Sequence, residues 1–180
     1  MPLVILDRDG VINRDSPDFI KSPQEWEPLP GSLEAIARLC TAGFQVAVAS
    51  NQSGIGRGIL DLATLNAIDD KMLMAIRASG GHIADLEYCP HHPDAGCRCR
   101  KPRTGLLERI ARHLRIDLAG VPCVGDSARD LAAATAVGAR PILVLTGNGR
   151  QTLADGIDEG IEVYPDLAHA AGELIRERQQ

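Results

Sequence analysis

Apolar residues in this chain come in short unbroken runs, separated by longer stretches in which they recur every three or four positions. Leu3-Val4-Ile5-Leu6 has no polar member, the pattern of a strand covered on both faces. Positions 121–124 and 141–145 repeat it, 44–49 and 161–163 do so with one polar interruption each, Gln45 and Glu162, and 83–88 reads as a weaker strand. Between these runs lie amphipathic segments. One opens at Gly31-Ser32 and carries Leu33, Ile36, Ala37 and Leu39; Ser32 is the expected N-cap and Gly43 the residue just past the end. Asp61 is expected to cap a second helix reaching about Ser79. Thr104 starts a third, with Leu107, Ile110, Ala111 and Leu114 on one side. Positions 128–137 and 166–178 give two more. Strands alternating with helices predict a parallel sheet with helices on both faces. Neither a repeat nor a linker breaks the pattern, so residues 1–180 are expected to form one domain. The polar, proline-rich connection 13–30 is long for a compact domain, and loops of that length are commonly lids or specificity elements.

The strands end in polar groups. The first runs into Asp7-Arg8-Asp9-Gly10, the second into Ser50-Asn51-Gln52-Ser53, and the fourth into Gly125-Asp126. Side chains two apart on a strand share a side, so Asp7 and Asp9 are expected to face one pocket. Two carboxylates about 4 Å apart repel by ~4 kcal/mol at a protein-like dielectric. A divalent cation, a shared proton, or a nucleophile beside an acid/base would each give that pair a use. Taken singly, Asp before Gly is an ordinary turn residue, and Ser-Asn after a strand an ordinary helix-capping turn. Parallel strands, however, place their carboxyl ends on one edge, where open α/β sheets bind ligands. Asp7, Asp9, Ser50 and Asp126 should therefore converge, with Lys101, expected to begin the helix after the cysteine-rich loop, in reach. Three carboxylates make a hard site suited to Mg²⁺, and a lysine and a hydroxyl beside it suit a phosphoryl group. A carboxylate can attack phosphorus once its charge is offset. Asp9 could then protonate the leaving oxygen and later activate water.

Composition narrows the partners. The net charge of −5 and 3% aromatic content leave no footprint for nucleic acid or an anionic membrane. No stretch approaches the ~20 apolar residues of a membrane span, and the amino terminus enters a strand without a secretory pattern. The expected protein is cytoplasmic and monomeric, with a small-molecule substrate.

Cysteine usage is uneven. Cys40 and Cys123 sit in apolar contexts and are expected to be small buried hydrophobes. Cys89, Cys97 and Cys99 fall in one loop with His91 and His92, an odd-numbered set pointing to a metal in a reducing compartment rather than to disulfides. Four soft or borderline ligands suit a closed structural Zn²⁺ site. The first histidine makes matching short bites, C-x-H and C-x-C, so the expected ligands are Cys89, His91, Cys97 and Cys99. Arg100 and Lys101 follow the last ligand directly, so ordering this loop would position two phosphate-binding cations. The glycines at 54, 56 and 58 do not fit the G-x-G-x-x-G dinucleotide spacing.

Asp7-Arg8-Asp9-Gly10-Val11, Ser50-Asn51, Lys101 and Gly125-Asp126-Ser127-Ala128-Arg129-Asp130 resemble, in order and spacing, the four motifs of the haloacid dehalogenase superfamily of phosphatases. The resemblance implies a three-layer Rossmann-like fold without a large cap domain, the zinc loop being an insertion within it. It implies Asp7 as nucleophile and Asp9 as general acid/base, with Ser50 and Lys101 on the transferring phosphoryl group. Mg²⁺ would be held by Asp7, the backbone of Asp9, and Asp126, with Asp130 in support. The zinc loop is similar to those of two phosphatase groups, one acting on D-glycero-D-manno-heptose 1,7-bisphosphate and one on histidinol phosphate. Residues 51–58, including Asn51, Gln52, Ser53 and Arg57, look like the heptose group, although the short zinc loop looks more like the histidinol group. Arg57 is either a solvated loop residue or a ligand for a second phosphate. Asp15 and Asp18 occupy that group's sugar-contacting loop. The implied reaction is removal of the C7 phosphate in activated-heptose synthesis for lipopolysaccharide; histidinol-phosphate hydrolysis is the rival. A non-enzymatic phospho-acceptor domain is the rival of another class, and it would have no need of Asp9.

Overall fold

A computed structural model describes all 180 residues. Six strands form one parallel sheet: β1 (Leu3–Leu6), β2 (Gln45–Asn51), β3 (Asp85–Cys89), β4 (Pro122–Gly125), β5 (Arg140–Val144) and β6 (Glu162–Tyr164). Their order across the sheet is β3-β2-β1-β4-β5-β6. The chain thus starts in the middle, builds outward through β2 and β3, then crosses back to β4. The β1/β4 boundary is the switch point where such sheets leave a crevice.

The helices are α1 (Ser32–Thr41), α2 (Leu62–Ala78), α3 (Gly105–Leu114), α4 (Ala128–Ala136), α5 (Gly149–Asp155) and α6 (Leu167–Arg178). Strand parity sorts them into two layers. Val4, Leu6, Val46 and Val48 pack with Ile36 and Leu39 of α1, Ile68, Met72 and Ile76 of α2, and Leu174 of α6. Leu3, Ile5, Ala47 and Ala49 pack on the other face with Leu106, Leu107 and Ile110 of α3 and Ala133 and Ala134 of α4. Small alanines on that face let α3 and α4 approach closely. Truncating a buried Ile or Leu in such layers costs about 2–5 kcal/mol.

The strands and five of the helices lie within two residues of their expected positions. Three local expectations need correcting, and one helix was not expected. Ser32 is not the N-cap of α1; Gly31 is, at φ 78°, and the Ser32 hydroxyl instead donates to Ile12 O at 2.6 Å, tying the base of the long loop to the helix. Lys101 does not begin α3, which starts at Gly105; it sits in the preceding turn. Cys40 is only half-buried, its sulfur accepting from the His82 N–H, whereas Cys123 is buried as expected. Helix α5 has no apolar periodicity to announce it: its buried residues are Gly149 and Thr152. Asp61 does cap α2, accepting from Thr64 N–H at 2.8 Å.

The long loop is an ordered flap. Its ends pair through Arg14 N–H to Glu27 O and Leu29 N–H to Ile12 O, and Ile20 and Trp26 are anchored in the core.

Candidate active site

The carboxyl edge of the sheet opens into a cleft of about 270 Å³ lined mainly by polar residues, among them Asp7, Asp9, Lys101, Asp126 and Asp130. Asp7 leaves β1, its N–H still bonded to Val124 O of β4 at 2.9 Å. Asp126 follows β4 directly. Asp130 is held at the start of α4, where its Oδ2 accepts from the N–H and hydroxyl of Ser127 at 3.1 and 2.7 Å. The three carboxylates lie within 4.8 Å of one another. Lys101 is set among them, with Nζ 2.9 Å from Asp7, 2.6 Å from Asp130 and 2.7 Å from Ala49 O. Asn51 fixes the Lys101 backbone from both sides: its Nδ2 donates to Lys101 O and its Oδ1 accepts from Lys101 N–H, at 3.1 and 3.0 Å.

This packing shifts the acids in opposite directions. Burial, reinforced by Asp130 and Asp126 against the pull of Lys101, holds the Asp7 carboxyl well above its ordinary range. Burial pushes Asp126 up to about 7, with Asp130 and Asp15 adding to it against the Asn148 N–H bond. Asp130 moves down, because Lys101 and Ser127 outweigh its burial. Lys101 is also desolvated, but Asp130 and Asp7 hold its proton more tightly than usual. Three carboxylates around one lysine make this corner of the cleft locally acidic and desolvated, an oxygen-rich donor set that fits a hard divalent cation. Backbone gives the Asp126 carboxylate room: a Cβ at Gly10 (φ +85°) or Gly147 (φ +54°) would overlap it.

Asp9 is held differently. Its Oδ1 accepts from Asn13 Nδ2 at 2.8 Å, its Oδ2 from Gln52 Nε2 at 2.7 Å, and both oxygens from the Arg8 guanidinium. Ser50, expected on the transferring phosphoryl group, is instead buried behind the cleft lining, with its hydroxyl 2.6 Å from Gln52 Nε2 of the lining. Ser53, Arg57 and Arg100 line the cleft, and so does Asp15, whose Oδ2 accepts from Asn148 Nδ2 at 3.2 Å. Asp18 does not line it; its side chain borders a neighbouring depression with Lys21 and Glu25. Arg100 Nη1 is buried without a hydrogen-bond partner. Arg57 and Arg129 line the same cleft, and burial, then Arg129, then Arg57 weaken the hold of Arg100 on its proton.

Cys89, His91, Cys97 and Cys99 come together as a second cluster, with Cys89–Cys97, Cys89–Cys99 and Cys99–His91 Nδ1 separations of 3.6, 3.1 and 3.2 Å. A tetrahedral zinc with bonds of ~2.3 Å sets ligand atoms about 3.8 Å apart, so small outward shifts would accommodate it. His92 turns away, its Nδ1 accepting from Asp94 N–H at 3.2 Å. The cluster is tied to the cleft through backbone: Gln52 N–H donates to Cys89 O at 2.7 Å and Gly56 N–H to Pro90 O at 2.8 Å.

Residues 98–170 match the HAD-hydrolase-like family model. The chain is 57% identical to D-glycero-β-D-manno-heptose-1,7-bisphosphate 7-phosphatase of Bordetella bronchiseptica, covering 98% of this chain and 99% of that one. It is 54% identical to the Pseudomonas putida enzyme of that name over 97% of this chain and all of the relative. The solved Bordetella D,D-heptose 1,7-bisphosphate phosphatase, complexed with magnesium and phosphate, superposes with a TM-score of 0.96, at 57% identity and 98% and 99% coverage of the two chains. The Burkholderia thailandensis enzyme superposes at 0.78 with 49% identity, covering 97% of this chain and 99% of the other. This chain belongs to the heptose bisphosphate phosphatase family of haloacid dehalogenase-like hydrolases.

Several cleft residues of this family member escape a reading of the sequence. Arg129 lies within a recognised motif yet carries no signal of facing the cleft. Asn148 follows β5 in an unremarkable Thr-Gly-Asn turn, but both its N–H and Nδ2 bond Asp126 Oδ2, at 2.8 and 3.3 Å. A polar residue just past the fifth parallel strand was the available clue, since it must fall on the same sheet edge.

Proposed function

We propose that this chain is a Mg²⁺-dependent phosphatase that hydrolyses the C7 phosphate of D-glycero-β-D-manno-heptose 1,7-bisphosphate. In this reading an Asp7 oxygen attacks phosphorus and the bond to the C7 oxygen breaks. Asp9 delivers a proton to that oxygen, releasing the alcohol. Asp9 then takes a proton from water, which attacks the phosphoryl group on Asp7, freeing inorganic phosphate and restoring the carboxylate. Lys101 offsets charge on Asp7 and on the incoming phosphoryl oxygens. Asp7, the Asp9 carbonyl and Asp126 would hold Mg²⁺, whose contribution when bound is to neutralise the phosphoryl oxygens. Asp130 holds Lys101 in place. Ser50 acts through Gln52.

Arg57, Arg100 and Arg129 recognise the second phosphate, and Ser53, Asp15 and Asn148 border the sugar. The cysteine–histidine cluster holds a structural Zn²⁺ that keeps Arg100 and Lys101 in register. All five cysteines are free, which fits a reducing cytoplasm. In that compartment the product monophosphate would feed activated-heptose synthesis for surface glycan.

The observation that carries this reading is the cleft's double character: an Asp7–Lys101 contact of 2.9 Å beside a carboxylate cluster, and Arg100 with a buried, unpartnered donor among further guanidiniums. A monophosphate needs only the first. The test is kcat/KM on the heptose bisphosphate, its 7-monophosphate and histidinol phosphate. The bisphosphate is expected to lead; a preference for histidinol phosphate overturns the substrate assignment.

A further inference from the structure

Arg8 has no place in the reaction as described, yet it is buried as deeply as the core. Strand parity puts it with Val4 and Leu6, on the face covered by α2, while Asp7 and Asp9 share the opposite parity. Its guanidinium is 1% exposed. Nη1 donates to Asp69 Oδ1 of α2 at 3.1 Å, Nε donates to Asp9 Oδ1 at 3.2 Å, and Nη2 donates to Asp9 Oδ1 and Oδ2 at 3.1 and 3.2 Å. Asp69 is itself 7% exposed, sits in the middle of α2 and does not line the cleft. A carboxylate in a helix that otherwise buries Leu65, Ile68, Met72 and Ile76 is costly to desolvate, and the guanidinium is its salt-bridge partner.

A guanidinium is a rigid planar fork, so fixing one nitrogen fixes the edge presented by the others. We propose that Asp69 and Arg8 are a positioning pair: Asp69, from α2, anchors the guanidinium whose other edge aims the Asp9 carboxyl at the leaving oxygen. Neither residue exchanges a proton with substrate. The inference rests on the assignment of Asp9 as the proton donor.

Misaiming a proton donor penalises substrates that need it. A sugar alkoxide must be protonated as it leaves; p-nitrophenolate leaves without help. kcat/KM reports events up to the first irreversible step, and so excludes the later attack of water. Asp69→Asn keeps the shape and one oxygen acceptor while removing the charge. It is expected to lower kcat/KM on the heptose bisphosphate by about 10- to 100-fold, the scale of a ~1 Å misplacement, and on p-nitrophenyl phosphate by no more than about threefold. Asp69→Glu, which keeps the charge but moves the anchor by one methylene, is expected to show a smaller loss with the same selectivity, and serves alone if the Asn variant does not fold. Equal losses on both substrates, or no loss on either, overturn the inference. Asp9→Asn separates the two failures. If Asp9→Asn is selective and the Asp69 variants are not, the positioning pair alone is wrong. If Asp9→Asn is itself unselective, the proton-donor assignment falls and takes the pair with it.

Discussion

Replacing Asp126 by Asn removes one negative charge from three carboxylates within 4.8 Å of one another, while keeping an oxygen to accept from Asn148 N–H. In metal-free protein, burial and neighbouring acids push the Asp126 carboxyl up to about 7. In the unfolded chain it titrates near 3.9. The folded state therefore binds this proton more tightly than the unfolded chain, so stability is greatest where the group is protonated in both. The loss begins as pH rises through about 4 and is complete just above 7. A displacement from about 4 to about 7 sets a ceiling of roughly 4 kcal/mol. Part of the ceiling belongs to Asp130 and Lys101, which readjust when the charge goes, leaving an expected gain of about 2 kcal/mol for Asp126→Asn at pH 7.5. For a chain of this size that is a rise in Tm of about 4–8 °C. Thermal unfolding of chelated wild type and variant across pH 4–8 measures it. The variant should melt higher at pH 7.5, with the difference fading toward pH 4. Added Mg²⁺ should reverse the order by stabilising wild type alone, while the variant loses turnover. Equal melting of the two chelated proteins at pH 7.5, or a difference that does not change with pH, would refute the argument that this site stores repulsion for a cation.

Gly147→Ala places a Cβ against both the Asp126 carboxylate and Gly10, at φ +54°, so Mg²⁺ affinity measured by titration should fall at least about tenfold; an unchanged affinity would count against Asp126 as a ligand. Cys99→Ser should abolish retention of one equivalent of zinc in elemental analysis and lower Tm by several degrees, and a variant as stable as wild type would remove the structural role. Arg100→Ala should raise KM for the bisphosphate by about 10- to 100-fold, the weight of a charge-assisted contact, while leaving the 7-monophosphate little affected; equal effects on both substrates would disconnect Arg100 from the second phosphate.

What the sequence disclosed and what it withheld divide along one physical line. Asp7 and Asp126 were legible because their positions follow from local rules: an apolar run fixes a strand, parallel strands share an edge, and the next polar residue lands on it. The cysteine–histidine cluster was legible for a similar reason, since four side chains within eleven residues can come together without help from the rest of the fold. Arg8 was not. Its motif position is as plain as that of Asp7, but its partner is Asp69, sixty-one residues away on a helix whose outward appearance is ordinary. A buried charge is decided by the residue that pairs it, and no local pattern carries that partner. Helix α5 fails for the complementary reason. Its one large apolar residue, Leu153, is 41% exposed, and the helix is set instead by Thr152, whose hydroxyl donates to Asp126 O at 2.8 Å. That bond makes α5 part of the support for Asp126 rather than part of the core. The segments hardest to read from the sequence are thus the ones that brace the carboxylates from behind, because their contacts are polar, long-range and few.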